Sequence, residues 1–520
     1  MSVGHQPLRW RARTGLAMAA AVLALVATAC TSTFTHAQPA PPKSAPTAPP
    51  SPSRPNIVYV LTDDLSSDLL PYMPHVAALA AQGMTFTNYT VADSECCPSR
   101  ASIFTGDYPH TTGVYINEGS AGGFEAFNHL GNAPRSFAIP LRDRGYQTAF
   151  MGKYLNAYYA SYPAPKALGD WAPPEVTYVP PGWDEWDAVG LGYKQYNYTL
   201  NHDHKVISHG TRPQDYLNTV LERYGRRFIK HSADEHTPFF LEVASFSPHT
   251  PNTPAPQDAH KFARLTAPTD PAFGHIPAHA PHWLAMRKPL TPGDLKLIDQ
   301  RFRARVRAVQ SVDRMVAGLE AKLAATDQLN DTVFVFNSDN GYHEGQYDLL
   351  PGKLTAFDTD VNVPLIVTGP GIAAGSVNND VVQNVDLAPT FEQLAGATPS
   401  PAVEGHSLVP LLHGEQVPWR QFALIEHRGP DVNPHDPDVQ TLAEGNPPSY
   451  EAIRSPRFTY VRYVTGETEY YDRARDPYEL DNLAPSLSTA RQQELTGWVN
   501  ALHNCSNGAQ CWQAGQPSSY

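Results

Sequence analysis

Cys96-Cys97-Pro98-Ser99-Arg100-Ala101-Ser102-Ile103-Phe104-Thr105-Gly106 sets two thiols directly before a proline and closes on a glycine. Proline is pre-organised for the first turn of a helix, and glycine suits the place just past its end. The run therefore predicts a short helix that stops at Gly106. Cys96 then falls at the helix N-terminus, where unsatisfied backbone N–H groups favour an anion. Arg100, about one turn on, points the same way. On these residues alone the reading is either an anion-binding turn or two buried thiols beside a short helix.

Working outward, the 520 residues are enough for a large core and two structural units. Hydrophobic residues make up 41% and charged ones 17%, a globular composition. The formal net charge of −13 disfavours non-specific nucleic-acid binding. An anionic ligand of such a chain needs cations gathered locally.

Several apolar runs read as buried strands, each followed by a chemically loaded turn. Ile57 to Leu61 leads to Asp63-Asp64, and Met84 to Thr87 runs towards the cysteine motif. Gly145 to Tyr154 carries Lys153 at its end, and Phe239 to Ala244 leads to Ser247-Pro248-His249. Thr332 to Asn337 ends in Ser338-Asp339-Asn340. Adjacent acids after a buried strand need a cation or hydrogen bonds, unless Asp64 simply caps a helix. Sites in open α/β sheets form outside the carboxyl ends of strands, so these motifs are expected to meet.

Asp294 to Leu323 reads as a long amphipathic helix, with Ile298, Phe302, Val306, Val309, Val312, Val316, Leu319 and Leu323 on one face. Its arginines spread around the axis and read as structural. Beyond about residue 416, Phe458 to Val464 and Thr468 to Tyr471 read as antiparallel strands around Thr465-Gly466-Glu467, followed by a polar helix from Ser488. Trp183 and Trp186 offer either a stacking wall for a sugar or core packing.

The N-terminus reads as an export signal. Arg9, Arg11 and Arg13 precede an Ala-rich apolar run from Leu16 to Ala29, too short for an ordinary membrane span. Cys30 after a small residue resembles a bacterial lipoprotein cleavage site, although Ala27 stands where leucine is usual. The chain is expected to be exported, either lipidated on Cys30 or freely secreted. Seven prolines between Pro39 and Pro52 make the following segment an extended tether. Cys505 and Cys511 form a disulfide or remain two thiols, and export favours the bridge. The expected organisation is residues 1–30 signal, 31–55 tether, 56–415 main α/β domain and 416–520 α+β subdomain.

Cys96-x-Pro98-Ser99-Arg100 with Thr105-Gly106 resembles the signature of the type I sulfatases, and Gly145 to Tyr154 resembles their second signature. Met151 stands there in place of a smaller residue. The Trp183 region and the form Lys153-Tyr154-Leu155-Asn156 are similar to N-acetylglucosamine-6-sulfatases and related arylsulfatases. The resemblance spans roughly Arg54 to Leu483. It implies an α/β, alkaline-phosphatase-like large mixed sheet flanked by helices, with a smaller C-terminal α+β subdomain. It also implies hydrolysis of sulfate esters, either sugar 6-sulfates or aryl sulfates.

By this resemblance Cys96, not Cys97, is oxidised to formylglycine by a formylglycine-generating enzyme, and its hydrate is the nucleophile. Arg100, Lys153, His249 and Lys353 contact the sulfate. Asp63, Asp64, Asp339 and Asn340, with residue 96, hold calcium, and such oxygen donors suit a hard cation rather than zinc. Asp339 is a candidate base, and Lys353 and His249 are candidate acids for the leaving oxygen. Many arylsulfatases have a histidine where this chain has Leu155, so either another group, with His343 as one candidate, takes that role, or the base is different. The rival readings are a phosphatase or phosphodiesterase of the same superfamily, and a lipoprotein that binds sulfated glycans without turnover. A Cys96–Cys97 redox pair is disfavoured by the strain of bridging neighbours.

Overall fold

The computed structural model describes residues 54–158, 177–430, 432, 433, 436 and 438–517. The expected signal, Cys30 and nearly all of the tether lie outside the described residues. The strands in chain order are β1 (Asn56–Asp63), β2 (Met84–Phe86), β3 (Tyr89–Thr90), β4 (Gln147–Lys153), β5 (Glu185–Val189), β6 (Thr199–His202), β7 (Lys205–Ser208) and β8 (Phe239–Pro248). There follow β9 (Thr332–Ser338), β10 (Leu365–Thr368), β11 (Ser376–Asn378), β12 (Val382–Gln383), β13 (Ala423–His427), β14 (Tyr450–Arg454), β15 (Phe458–Tyr463) and β16 (Thr468–Asp472). The helices that matter for the site are α1 (Pro74–Gln82), α2 (Cys96–Thr105), α3 (Leu217–Asp234), α4 (Pro292–Ala325), α5 (Leu387–Leu394) and α6 (Thr489–His503).

Among the described residues ten strands form one mixed sheet in the order β11-β2-β10-β9-β1-β8-β4-β5-β6-β7. Its centre, β9-β1-β8-β4-β5, is parallel. β10 runs antiparallel to both β9 and β2, which makes the sheet mixed, as expected. Both faces are covered, so the central strands are largely buried, and β1 and β9 read as near-continuous apolar runs rather than alternating. Val58 and Val60 of β1 pack with α3 and α4, through residues such as Leu221, Phe302 and Val309. Ile57, Tyr59 and Leu61 face the other way, towards Ala101 and Phe104 of α2 and Phe391 of α5. The expected long helix extends over Pro292–Ala325 and starts with Thr291 and Asp294 capping one another.

Trp183 and Trp186 belong to this second core and form no sugar-stacking wall. Trp186 is fully buried, stacks on Phe150 at 4.6 Å between ring centroids, and donates from Nε1 to the Tyr158 hydroxyl. The stretch around them contains β5, which adds to the sheet beside β4. Burying such large rings without losing the indole hydrogen bond explains the preference for core over cleft.

β13 to β16 form a separate four-stranded antiparallel sheet, with β15 and β16 paired as expected around Thr465–Glu467. Cys505 and Cys511 are joined by a disulfide. Glu426 of β13 ties this region to the loop after α2. His110 Nδ1 lies 2.9 Å from one carboxylate oxygen and His503 Nδ1 2.6 Å from the other, while His110 Nε2 donates to the Cys505 carbonyl at 2.9 Å. Burial alone would lower the His110 pKa, but Glu426 outweighs it and raises the pKa to about 9. Burial alone would raise the Glu426 pKa, yet the two histidines hold it below the usual range.

The His110 contribution to stability is therefore complete below its unfolded pKa of about 6.5 and is lost as pH rises through about 9. The Glu426 contribution is present above its unfolded value and is lost in acid. Glu426→Gln is expected to lower stability by about 3 kcal/mol between roughly pH 5 and 6.5, since it breaks a buried charge pair. The melting-temperature difference from the wild type should close as pH approaches about 10. A difference independent of pH would refute the ion-pair account.

Candidate active site

The site is assembled at the carboxyl ends of the central parallel strands. β1 delivers Asp63, and the chain then turns through Asp64 with φ of +64°, a left-handed conformation tolerated by Asp better than by most residues. β9 delivers Asp339 and Asn340, tied to β1 by the Asp339 N–H donating to the Thr62 carbonyl at 3.0 Å. β4 ends at Lys153, and Gly152 before it has φ of +109° with the Ala244 carbonyl pressed where a Cβ would stand. His249 follows β8 directly. α2 begins at Cys96, ends at Thr105 and is capped by Gly106, whose φ of +75° favours glycine, as the sequence predicts.

These elements bring all nine residues expected at the site into one buried network. Cys96 Sγ is 3.3 Å from Asp63 Oδ1 and 2.9 Å from Lys353 Nζ. Lys353 Nζ donates to Asp64 Oδ1 and Lys153 Nζ to Asp63 Oδ2, both at 2.7 Å. Arg100 Nε donates to Asp339 Oδ2 at 2.8 Å, and another guanidinium N–H reaches the Lys153 carbonyl at 2.6 Å. Asn340 Nδ2 donates to Asp64 Oδ1 at 2.7 Å, and the Asp64 N–H donates to Asp339 Oδ1 at 3.2 Å. His249 Nε2 is 3.7 Å from Asp64 Oδ2, and its Nδ1 donates to the Thr250 carbonyl at 2.7 Å.

The electrostatics follow from burial and this crowding. Burial would raise the Asp63 pKa, but Lys153, His249 and Arg100 outweigh it and hold the pKa at about 2. Burial dominates at Asp339, opposed by Arg100, and its pKa rises to about 6. Burial would lower the His249 pKa, yet Asp438, Asp64 and Asp63 raise it to about 9. Lys153 and Lys353 also stay charged, because the carboxylates beside them exceed the cost of burial. Burial, with Asp63 adding to it, pushes the Cys96 thiol far above its usual range.

The donor set fits a hard cation. Asp63, Asp64, Asp339 and Asn340 offer only oxygens, and Asn340 Oδ1 is buried with no hydrogen-bond partner. Such an orphaned acceptor beside three carboxylates is what an oxygen-ligated metal satisfies.

Two further results concern residues outside the expected set. His343 does not face Cys96 and is not the replacement for the missing histidine. It is fully buried, with Nδ1 on Asp360 at 2.9 Å and Nε2 on the Glu444 carbonyl at 3.1 Å, so both ring nitrogens are committed. Asp438, Asn117 and Asn156 do reach the site and were not foreseen there. Asp438 lies in a Pro- and Asp-rich stretch with no motif, and acid density in that stretch was its one signal. A cleft lined by Lys153, Leu155, Asn156, Tyr193 and Phe246 borders the cluster.

The family model described as Sulfatase matches residues 55–397, and one described as N-sulphoglucosamine sulphohydrolase, C-terminal, matches residues 345–502. The N-acetylglucosamine-6-sulfatases of Capra hircus and Homo sapiens are each 34% identical over 483 residues, covering 87% of this chain and 84% and 85% of theirs. A solved structure of BT4656 in complex with its substrate D-glucosamine-2-N,6-O-disulfate superposes with a TM-score of 0.70 at 22% identity, over 86% of this chain and 97% of that one. A phosphonate monoester hydrolase of Agrobacterium radiobacter shares the fold at a TM-score of 0.64 and 21% identity, over 86% and 96% of the two chains. The fold alone thus leaves the transferred group open. The extent of the family match, and relatives sharing a third of its residues, show that this chain belongs to the sulfatase family and is a hydrolase of sulfuric esters.

Proposed function

We propose that this chain removes sulfate from sulfated sugars, 6-sulfated amino sugars foremost, using formylglycine made from Cys96 and calcium held by Asp63, Asp64, Asp339 and Asn340. The observation that carries the reading is the meeting of Cys96, at a helix N-terminus, with an oxygen-only cluster and four cationic side chains. The sugar preference draws on relatives named for N-acetylglucosamine 6-sulfate. Formylglycine as its hydrate supplies an oxygen nucleophile and a second hydroxyl that lets sulfate depart, and calcium supplies positive charge opposite the sulfate oxygens.

The chain's own residues do the rest. Arg100 holds Asp339 and the end of β4 in register, and adds fixed positive charge beneath residue 96. Lys353 keeps a proton 2.9 Å from the atom borne by Cβ of residue 96. Lys153 and His249 complete the positive wall, and either His249 or Lys353 is placed to protonate a leaving oxygen. Maturation requires a formylglycine-generating enzyme as partner. The chain is exported through residues 1–30, with a lipid on Cys30 as its one membrane attachment if retained. Residues 56–415 carry the chemistry, and 416–520 form the subdomain. Among the described residues no helix is long and apolar enough to cross a membrane.

The test compares kcat/KM on N-acetylglucosamine 6-sulfate, a nitrophenyl sulfate and the matching phosphates, with the matured protein. The sulfates should be preferred by at least about 10²-fold, since a phosphate monoester brings nearly one charge more. A preference for phosphates would favour the rival superfamily reading. Aryl sulfate turnover without sugar sulfate turnover would overturn the substrate class alone.

A further inference from the structure

Asp438 lies between β13 and β14, far along the chain from the strands that build the site, yet its carboxylate sits against Cys96. Oδ1 is 2.6 Å from His249 Nε2. Oδ2 accepts from Asn156 Nδ2 at 3.3 Å and from Asn117 Nδ2 at 3.4 Å. It is also 3.7 Å from Cys96 Sγ and 3.9 Å from Lys353 Nζ. The side chain is buried, which would raise its pKa, but His249 and Lys353 hold it well below the carboxylate range.

The two amides are aimed from behind. Asn117 is anchored by its Oδ1 accepting from the Cys97 N–H at 3.0 Å and by its own N–H donating to Glu95 Oε1 at 3.0 Å, which leaves its NH₂ pointing inward. Asn156 follows Leu155, the residue at the place of the missing histidine, and is itself buried. Two neutral N–H donors and two cations thus converge on one oxyanion beside residue 96. A carboxylate and a sulfate monoester each carry a single negative charge, so one replaces the other without changing the charge of the cradle.

On the sulfatase reading above, we propose that Asn117, Asn156, His249 and Lys353 form the cradle for the substrate's sulfate, and that Asp438 occupies this cradle as an internal competitor which substrate must displace. The Asp438 carboxylate then sets sulfate affinity, and its return to the cradle helps expel the product. If the cradle is open about a tenth of the time, apparent affinity is weakened about tenfold.

The experiment measures binding of inorganic sulfate to the matured, calcium-loaded protein by titration calorimetry, alongside product inhibition and KM. Asp438→Ala and the near-isosteric Asp438→Asn should bind sulfate about tenfold more tightly and show a lower KM. Asn156→Ala should weaken sulfate binding when added to Asp438→Ala, where the competitor it also holds is gone. Unchanged or weaker sulfate binding in a folded Asp438→Asn protein overturns the competitor role and makes Asp438 a positioning partner of His249. Unchanged sulfate binding on adding Asn156→Ala to Asp438→Ala overturns the cradle. Absence of both sulfate binding and ester hydrolysis in the wild type instead refutes the functional reading on which the proposal rests.

Discussion

Cys96→Ala is expected to abolish turnover, lowering kcat on the order of 10⁵-fold or more, as loss of a covalent nucleophile does elsewhere. Cys97→Ala should leave turnover nearly intact and cost about 1 kcal/mol of stability through lost packing. The two residues are adjacent and both fully buried, but their surroundings differ. Cys96 Sγ meets Asp63 and Lys353, whereas Cys97 packs in the apolar core and contributes its backbone N–H to Asn117. Burial, reinforced by Asp63, keeps the Cys96 thiol protonated at neutral pH, and a neutral thiol is a poor nucleophile. On the proposed mechanism, residue 96 therefore acts only after conversion. Mass spectrometry of its peptide should show an aldehyde at 96 and an intact thiol at 97. An unconverted thiol in a fully active preparation would end the formylglycine account.

The main strands were legible because burial on both faces writes them as largely apolar runs, and the long helix because its apolar residues recur on one face. β1, β8 and β9 are of this kind, and α4 repeats its apolar residues at helical spacing. β5 was not legible. Its Glu185-Trp186-Asp187 mixes charge and aromatic character, and the pairing with β4 that makes it a strand is a long-range contact. The hairpin of β6 and β7 is short, and β7 is largely exposed, so neither pattern stands out.

The site was legible where chemistry coincided with strand ends. Asp63, Lys153, His249 and Asp339 each stand at or just past the end of a largely apolar strand, and the sheet topology brings such ends together. His343 is the counterexample. It sits three residues past Asn340, but the turn carries it towards Asp360 and the Glu444 carbonyl. Asp438 fails in the opposite sense, since nothing local marks an acid that enters the site from a loop of the other sheet. Proximity along the chain predicts neither case, because side-chain direction at the end of a strand is decided by tertiary packing.

Chelation is expected to silence the enzyme, and calcium is expected to restore it where zinc does not. The ligand atoms of Asp63, Asp64, Cys96 and His249 lie within 4.8 Å of one another, a set whose nitrogen and sulfur would suit zinc. His249 is not available to a metal, because its Nδ1 is committed to the Thr250 carbonyl and its Nε2 faces Asp438 with a pKa of about 9. A ligating imidazole must be neutral, and a ligating thiol must lose its proton against the burial that holds it on Cys96. That leaves the carboxylates and the orphaned Asn340 Oδ1, which are hard donors. Calcium at about 100 times its dissociation constant should then stabilise the protein by about 2.7 kcal/mol, read as a rise in melting temperature that needs no turnover. Asn340→Ala removes the one neutral oxygen in the set together with its bond to Asp64, so the calcium midpoint of that rise should shift upward about 10- to 100-fold. Stoichiometric zinc in the purified enzyme, or a melting temperature indifferent to calcium and chelator alike, would overturn the oxygen-ligand assignment while leaving the sulfate cradle to stand or fall on its own test.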